Sequence, residues 1–125
     1  MKIIHTADWH IGRVLHSESF LESQSYVLDQ ILAYIKDHEV DALLVAGDIY
    51  DRSIPPAEAI SLLNGFINRL SALNVPIIMI TGNHDGAQRL SFASKQLRSS
   101  GVHIMGDLHD INQPVVLQKD DVKVN

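Results

Sequence analysis

Three short stretches of this sequence carry side chains that could do chemistry together. Asp8 and His10 stand in "ADWHIG", Asp48 and Asp51 in "AGDIYD", and Asn83, His84 and Asp85 in "TGNHD". The donors are all oxygen or imidazole, and the chain contains no cysteine. Such a set suits Mn, Fe or Zn rather than a thiolate-loving metal. Carboxylate and amide oxygens can also bridge two ions. A pair of divalent ions ~3.5–4 Å apart would clamp the attacking and leaving oxygens of a phosphoryl displacement. Taken singly, each group has a plainer reading. Asp8 and His10 read as a solvated loop, Asp48 as a turn cap, and Asn83 to Asp85 as an ordinary turn.

The elements that must position these groups decide between the two. "KIIH" (residues 2–5) is a short β-rich run that ends just before Asp8. From about Glu18 to His38, apolar residues recur at Leu21, Leu28, Ile31, Leu32 and Ile35, which is helical spacing. "DALLVAGD" is a continuous apolar run bounded by acids, as expected of a strand buried on both faces. "SIPPAEAISLLNGFINRLSAL" predicts a helix with proline in its first turn, running to about Leu73. "VPIIMI" predicts a third strand, and "AQRLSFASKQLRSSG" a shorter helix closed by Gly101. "VHIM" follows, then "PVVL" and "VKV" as a hairpin about "QKDD".

Alternating strands and helices predict an α/β fold with a largely parallel sheet and flanking helices. Ligands of such sheets bind beyond the carboxyl ends of the strands. Asp8 and His10, Asp48, and Asn83 to Asp85 follow three successive strand ends, so they should converge on one edge. Gly47 and Gly82 remove side chains where backbone and ligand must approach closely. The convergence favours metal binding over three unrelated turns.

Bulk composition sets bounds. The chain has 125 residues, 46% hydrophobic and 20% charged, which is one domain with a sizeable core and not a disordered segment. The N-terminus turns polar after two apolar residues, and no apolar run approaches the ~20 residues a membrane-spanning helix needs. A soluble, cytoplasmic protein is expected. The net charge of −5 argues against nucleic-acid binding through a basic surface, although divalent ions in the acidic pocket would change that local balance. The last strand stops at Asn125 without a polar tail, which predicts a fragment of a longer chain.

"DWH", "AGDIYD" and "TGNHD" resemble the D-x-H, G-D-x-x-D and G-N-H-[D/E] blocks of the calcineurin-like metallophosphoesterases. "HTADWHIG" followed by "VDALLVAGDIYD" is similar, more narrowly, to the nuclease subunits of that family that act in bacterial DNA repair. The resemblance spans roughly residues 1–106. It implies a manganese-dependent phosphodiesterase that acts on DNA ends and hairpins, partnered by an ATPase subunit. It also implies roles. Asp8 and His10 would bind a first ion, Asp48 would bridge, and Asn83 would bind a second. His84 would stand by the scissile phosphate, with Asp51 pairing it to favour the protonated imidazole, and Asp85 would brace the turn. The family's later lone histidine and G-H-x-H block have no counterpart here, since His103 and His109 lie in no such block. The resemblance therefore implies a single domain only partly contained in these residues, and an inactive or weakly active fragment.

Arg13, Arg52 and Arg89 each follow a different strand-end motif, either as scattered surface charges or as contacts to substrate phosphate. Trp9 reads as packing beneath the loop or as a platform for a splayed base. On the expected second helix, Ala59, Leu63, Phe66 and Leu70 form one stripe, flanked by Leu62, Leu73, Ile60 and Ile67. That arc exceeds the ~100° a helix needs for its own core, which predicts a homodimer contact, as the resemblance also does. Two other functions compete with a nuclease: a phosphodiesterase for small molecules, and a non-catalytic folding and dimerisation module.

Overall fold

The computed structural model describes residues 1–82, 97–106, 112 and 114–125. In chain order, β1 (Ile3–Ala7) is followed by a small hairpin, β2 (Val14–Leu15) and β3 (Glu18–Ser19), and then by helix α1 (Leu21–Asp37). β4 (Ala42–Ala46), α2 (Ala57–Ala72) and β5 (Ile77–Ile80) come next. A 3-10 turn (Arg98–Ser100) precedes β6 (Val102–Met105), and β7 (Leu117–Lys119) with β8 (Val122–Val124) closes the chain.

The central sheet has the order β1-β4-β5-β6, every pair parallel. Its register aligns Ile4, Leu43, Ile77 and Val102 in one row, and Thr6, Val45, Met79 and Ile104 in another. Those rows face the core together with Leu28, Leu32 and Ile35 of α1 and Ala59, Leu63, Phe66 and Leu70 of α2. Both helices thus cover the same sheet face, and Arg69 pairs with Asp29 between them. Among the described residues the strands are therefore covered by helices on one face, and the opposite face is only partly buried: His5 is exposed, and Leu44 and His103 are half-buried. Among the described residues no helix is long and apolar enough to cross a membrane.

Several boundaries differ from expectation for identifiable reasons. β1 continues to Ala7, because Thr6 and Ala7 still pair with Val45 and Ala46. α1 starts only at Leu21, since Glu18 and Ser19 are used by the hairpin, which turns through His16 and Ser17 in left-handed conformation. Pro56 caps α2 at φ −65° and ψ 156° rather than entering its first turn. Within "PVVL" only Leu117 is in a strand, whose pairing runs on into Lys119. The hairpin is tethered where Lys119 Nζ donates to Asp41 Oδ1 at 2.6 Å, which with the Lys2 backbone N–H holds the Asp41 carboxyl below its usual range. The helix expected over residues 87–101 lies outside the described residues as far as residue 96. Its end is a 3-10 turn stopped by Gly101 at φ 77°.

The opposite sheet face carries the row His5, Leu44, Ile78 and His103. Burial, and then the neighbouring Arg98 guanidinium, push the His103 imidazole below its ordinary value of 6.5. The folded chain refuses a proton that the unfolded chain accepts, so His103 costs no stability above that value and destabilises as pH falls below it. Thermal melts at pH 7.5 and 5 should therefore show a drop that is smaller in His103→Gln; an unchanged drop would assign the acid sensitivity elsewhere.

Candidate metal centre

β1 and β4 end side by side at the pair Ala7 and Ala46. Beyond it the two segments stay zipped by backbone bonds. Asp8 N–H donates to Gly47 O at 3.2 Å, His10 N–H to Asp48 O at 2.9 Å, and Ile11 N–H to Ile49 O at 2.9 Å. Asp51 N–H returns to Ile11 O at 3.2 Å. Within this zipper Asp8, His10 and Asp48 adopt φ of 56°, 46° and 45°. Left-handed backbone costs an L-residue ~1–2 kcal/mol, and Asp, Asn and His tolerate it better than most. Strain of this kind persists only where surrounding structure over-determines it, and it clusters at functional sites.

The three strained residues are also the ones that come together. One donor atom from each of Asp8, His10 and Asp48 lies within 4.8 Å of the others. Two ligands ~2.1 Å from a shared ion lie at most ~4.2 Å apart, so small side-chain adjustments close the cluster on a cation. His10 Nε2 is 3.9 Å from Asp48 Oδ2, and its Nδ1 is 3.5 Å from Asp51 Oδ1. Asp51 Oδ1 stands close enough to Nδ1 that a small shift would close a hydrogen bond, favouring the tautomer whose Nε2 lone pair is available, as in a metal-ligating histidine. The donor set therefore fits a divalent ion.

Gly47 sits at φ 78°, and its partner across the gap is Gly82, just past the end of β5. A Cβ at Gly82 would lie less than 3.0 Å from the N, Cγ and Oδ1 of Asp48. Only glycine lets the β5 exit pass this close to the carboxylate. Asn83, His84, Asp85 and Arg89, all expected at the site, lie outside the described residues, as does His109. Asp51, expected to pair with His84, stands against His10. Arg13 is exposed, and Arg52 is exposed with its Nε 4.0 Å from Asp51 Oδ2. Trp9 packs under the loop, its Nε1 donating to Thr6 Oγ1 at 3.0 Å and its ring edge-on to Phe66. His103 lies within β6, paired with Ile78 rather than at the strand ends.

Sequence reasoning missed Gln24. From α1 its side chain reaches the backbone on both sides of the His10 turn. The available signal was a polar residue at a stripe position between Leu21 and Leu28.

The family model described as calcineurin-like phosphoesterase matches residues 1–121. A protein of Staphylococcus saprophyticus subsp. saprophyticus, named as the D subunit of nuclease SbcCD, is 47% identical over 118 residues, 94% of this chain. Its namesake from Staphylococcus epidermidis is 44% identical over 118 residues, again 94% of this chain. The chain spans 31% and 32% of the lengths of these relatives.

Proposed function

Since this chain belongs to the calcineurin-like phosphoesterase family, we propose that it is the N-terminal part of one metallophosphoesterase domain in the D subunit of an SbcCD-type nuclease. The reaction is hydrolysis of phosphodiester bonds at DNA ends and hairpins, exo- and endonucleolytic, in repair and recombination. The observation that carries this reading is the convergence of Asp8, His10 and Asp48 where β1 and β4 end.

Divalent metal use goes with the family, and manganese, as a pair of ions, is our assignment. When bound, the ions supply Lewis acidity and orient the phosphate. The chain's own residues do the rest. Asp8 and His10 would hold the first ion, Asp48 would serve both, and Asn83 would serve the second. Asp51, which stands beside the imidazole of His10, partners His84. His84 gives a proton to the leaving oxygen, in the role of a general acid. Arg13, Arg52 and Arg89 steer the phosphate backbone, which a chain of net charge −5 must do locally rather than through its whole surface.

The partners are DNA, an SbcC-type ATPase subunit and a second copy of the chain, all in the cytoplasm. For the last, α2 leaves Ile60 40% and its capping residue Leu73 38% exposed beside a fully buried stripe, while Leu62 and Ile67 pack against the core. The complete gene product should degrade linear duplex DNA with Mn2+, lose that activity in EDTA, and run as a dimer that Ile60→Glu dissociates. Hydrolysis of an aryl phosphodiester with DNA left intact would point to a small-molecule enzyme. No metal binding and neither reaction would leave a folding and dimerisation module.

A further inference from the structure

The segment over residues 9–12 has backbone groups that the sheet does not satisfy. Its N–H groups at His10 and Ile11 are taken by the β4 side, but the carbonyls of Trp9 and His10 point away from that zipper. Gln24, in the first turns of α1, meets them. Its Nε2 donates to His10 O at 2.8 Å and to Trp9 O at 3.2 Å. Its Oε1 accepts from Gly12 N–H at 3.0 Å. A primary amide is the side chain that offers two donors and an acceptor in one rigid plane, and all three functions are used here.

The consequence is geometric. His10, at φ 46°, is held on one side by Asp48 O and on the other by Gln24, with Arg13 N–H also donating to His10 O at 3.1 Å. Without the Gln24 bonds, that backbone would be freer to relax towards an ordinary region, swinging the imidazole off the cluster. The three Gln24 bonds all go to main-chain groups, so its influence on the donor atoms passes through the shape of the turn.

We propose that Gln24 is the positioning residue of this centre, setting affinity for a divalent ion by locking the His10 turn from the helix side. The inference rests on Asp8, His10 and Asp48 being metal ligands. Outer partners of ligands typically change metal affinity 10–100-fold when removed, and a backbone clamp acts through the same route. Gln24 also lines an open pocket of about 420 Å³ shared with Asp8 and Trp9, so truncation there would widen it. Gln24→Met fills the same volume without the hydrogen bonds. Gln24→Glu keeps an acceptor for Gly12 while setting a carboxylate against two carbonyls.

The test is titration of the complete gene product with Mn2+ by calorimetry, and with Co2+ by visible absorption, which reports ligand geometry. Both variants should bind Mn2+ ~10–100-fold more weakly and show an altered Co2+ spectrum while remaining folded at the titration temperature. Asp48→Ala serves as the control that should abolish binding. Wild-type affinity and spectrum in both Gln24 variants, with Asp48→Ala deficient, would overturn the role of Gln24 alone. No binding by wild type, or normal binding by Asp48→Ala, would overturn the metal centre and this inference with it. Should either variant fail to fold, amide exchange in the apo wild type decides: Gly12 N–H exchanging as fast as an open loop overturns the clamp.

Discussion

Asp48→Ala is expected to weaken Mn2+ binding by more than ~100-fold, beyond the 10–100-fold typical of losing an outer partner, and to abolish detectable DNA hydrolysis. Asp48 clusters with Asp8 and His10 and also lies against the β5 exit at Gly82, so losing its carboxylate strips the point where three segments meet. Loss of a ligand must be separated from loss of a residue that tolerates φ of 45°. Asp48→Asn does so, because asparagine accepts left-handed backbone as readily and keeps the shape. Ala and Asn should therefore differ in melting temperature while both bind Mn2+ more weakly than wild type, Asn less severely because its amide oxygen still donates to the ion. Calorimetry with the complete gene product checks both, and Asp48→Ala with normal manganese stoichiometry would remove Asp48 from the site.

The second large effect is expected at a residue with no side chain. Gly82→Ala places a methyl less than 3.0 Å from three atoms of Asp48, one of them backbone nitrogen. No rotamer change relieves a clash with main chain. Nor can the strands separate freely, since Gly47 N–H donates to Ile80 O at 2.8 Å and Thr81 N–H to Met105 O at 3.1 Å. Overpacking of this kind costs ~1–3 kcal/mol, and a clash with fixed backbone belongs at the upper end. The same displacement pushes the Asp48 carboxylate from its neighbours, so Mn2+ affinity should fall with the urea midpoint. Gly65 on α2 is the contrast. A Cβ there meets nothing within 4 Å, so Gly65→Ala should stabilise by roughly 0.5–1 kcal/mol. Two Gly→Ala changes of opposite sign would tie the cost to Asp48; equal small effects would mean the β5 exit is freer than its bonds suggest.

Much of this architecture was legible because parallel strands announce themselves. "ALLVA" and "IIMI" are apolar on both faces, and the helix between them repeats at helical spacing through Ala59, Leu63, Phe66 and Leu70. The strand-end rule then brought Asp8, His10 and Asp48 together without any knowledge of distance. What stayed illegible is tertiary. The short hairpin through His16 and Ser17 has no period to read, and its left-handed turn uses no glycine. Gln24 breaks an apolar stripe, which by itself says only that one helix position is not core. That Asp51 faces His10 depends on the Ile11 and Tyr50 bridge bringing two loops alongside, a contact with no local signal.

The sheet's strand order has a kinetic side. Ile3 pairs with Ala42, and Leu43 with Ile77, so no neighbouring strands in the sheet are joined by a tight turn. Each pairing must close a long loop before it returns any contact energy, which places such topologies among the slower folders, while an isolated helix such as α1 relaxes within ~1 µs. The donors of Asp8, His10 and Asp48 meet only after β1 has found β4. An early intermediate holding α1 and α2 would thus have no ion to grip, and metal could not nucleate the fold. Added manganese should act on the unfolding rate and leave the folding rate nearly untouched, making the ion a late fastener rather than a seed.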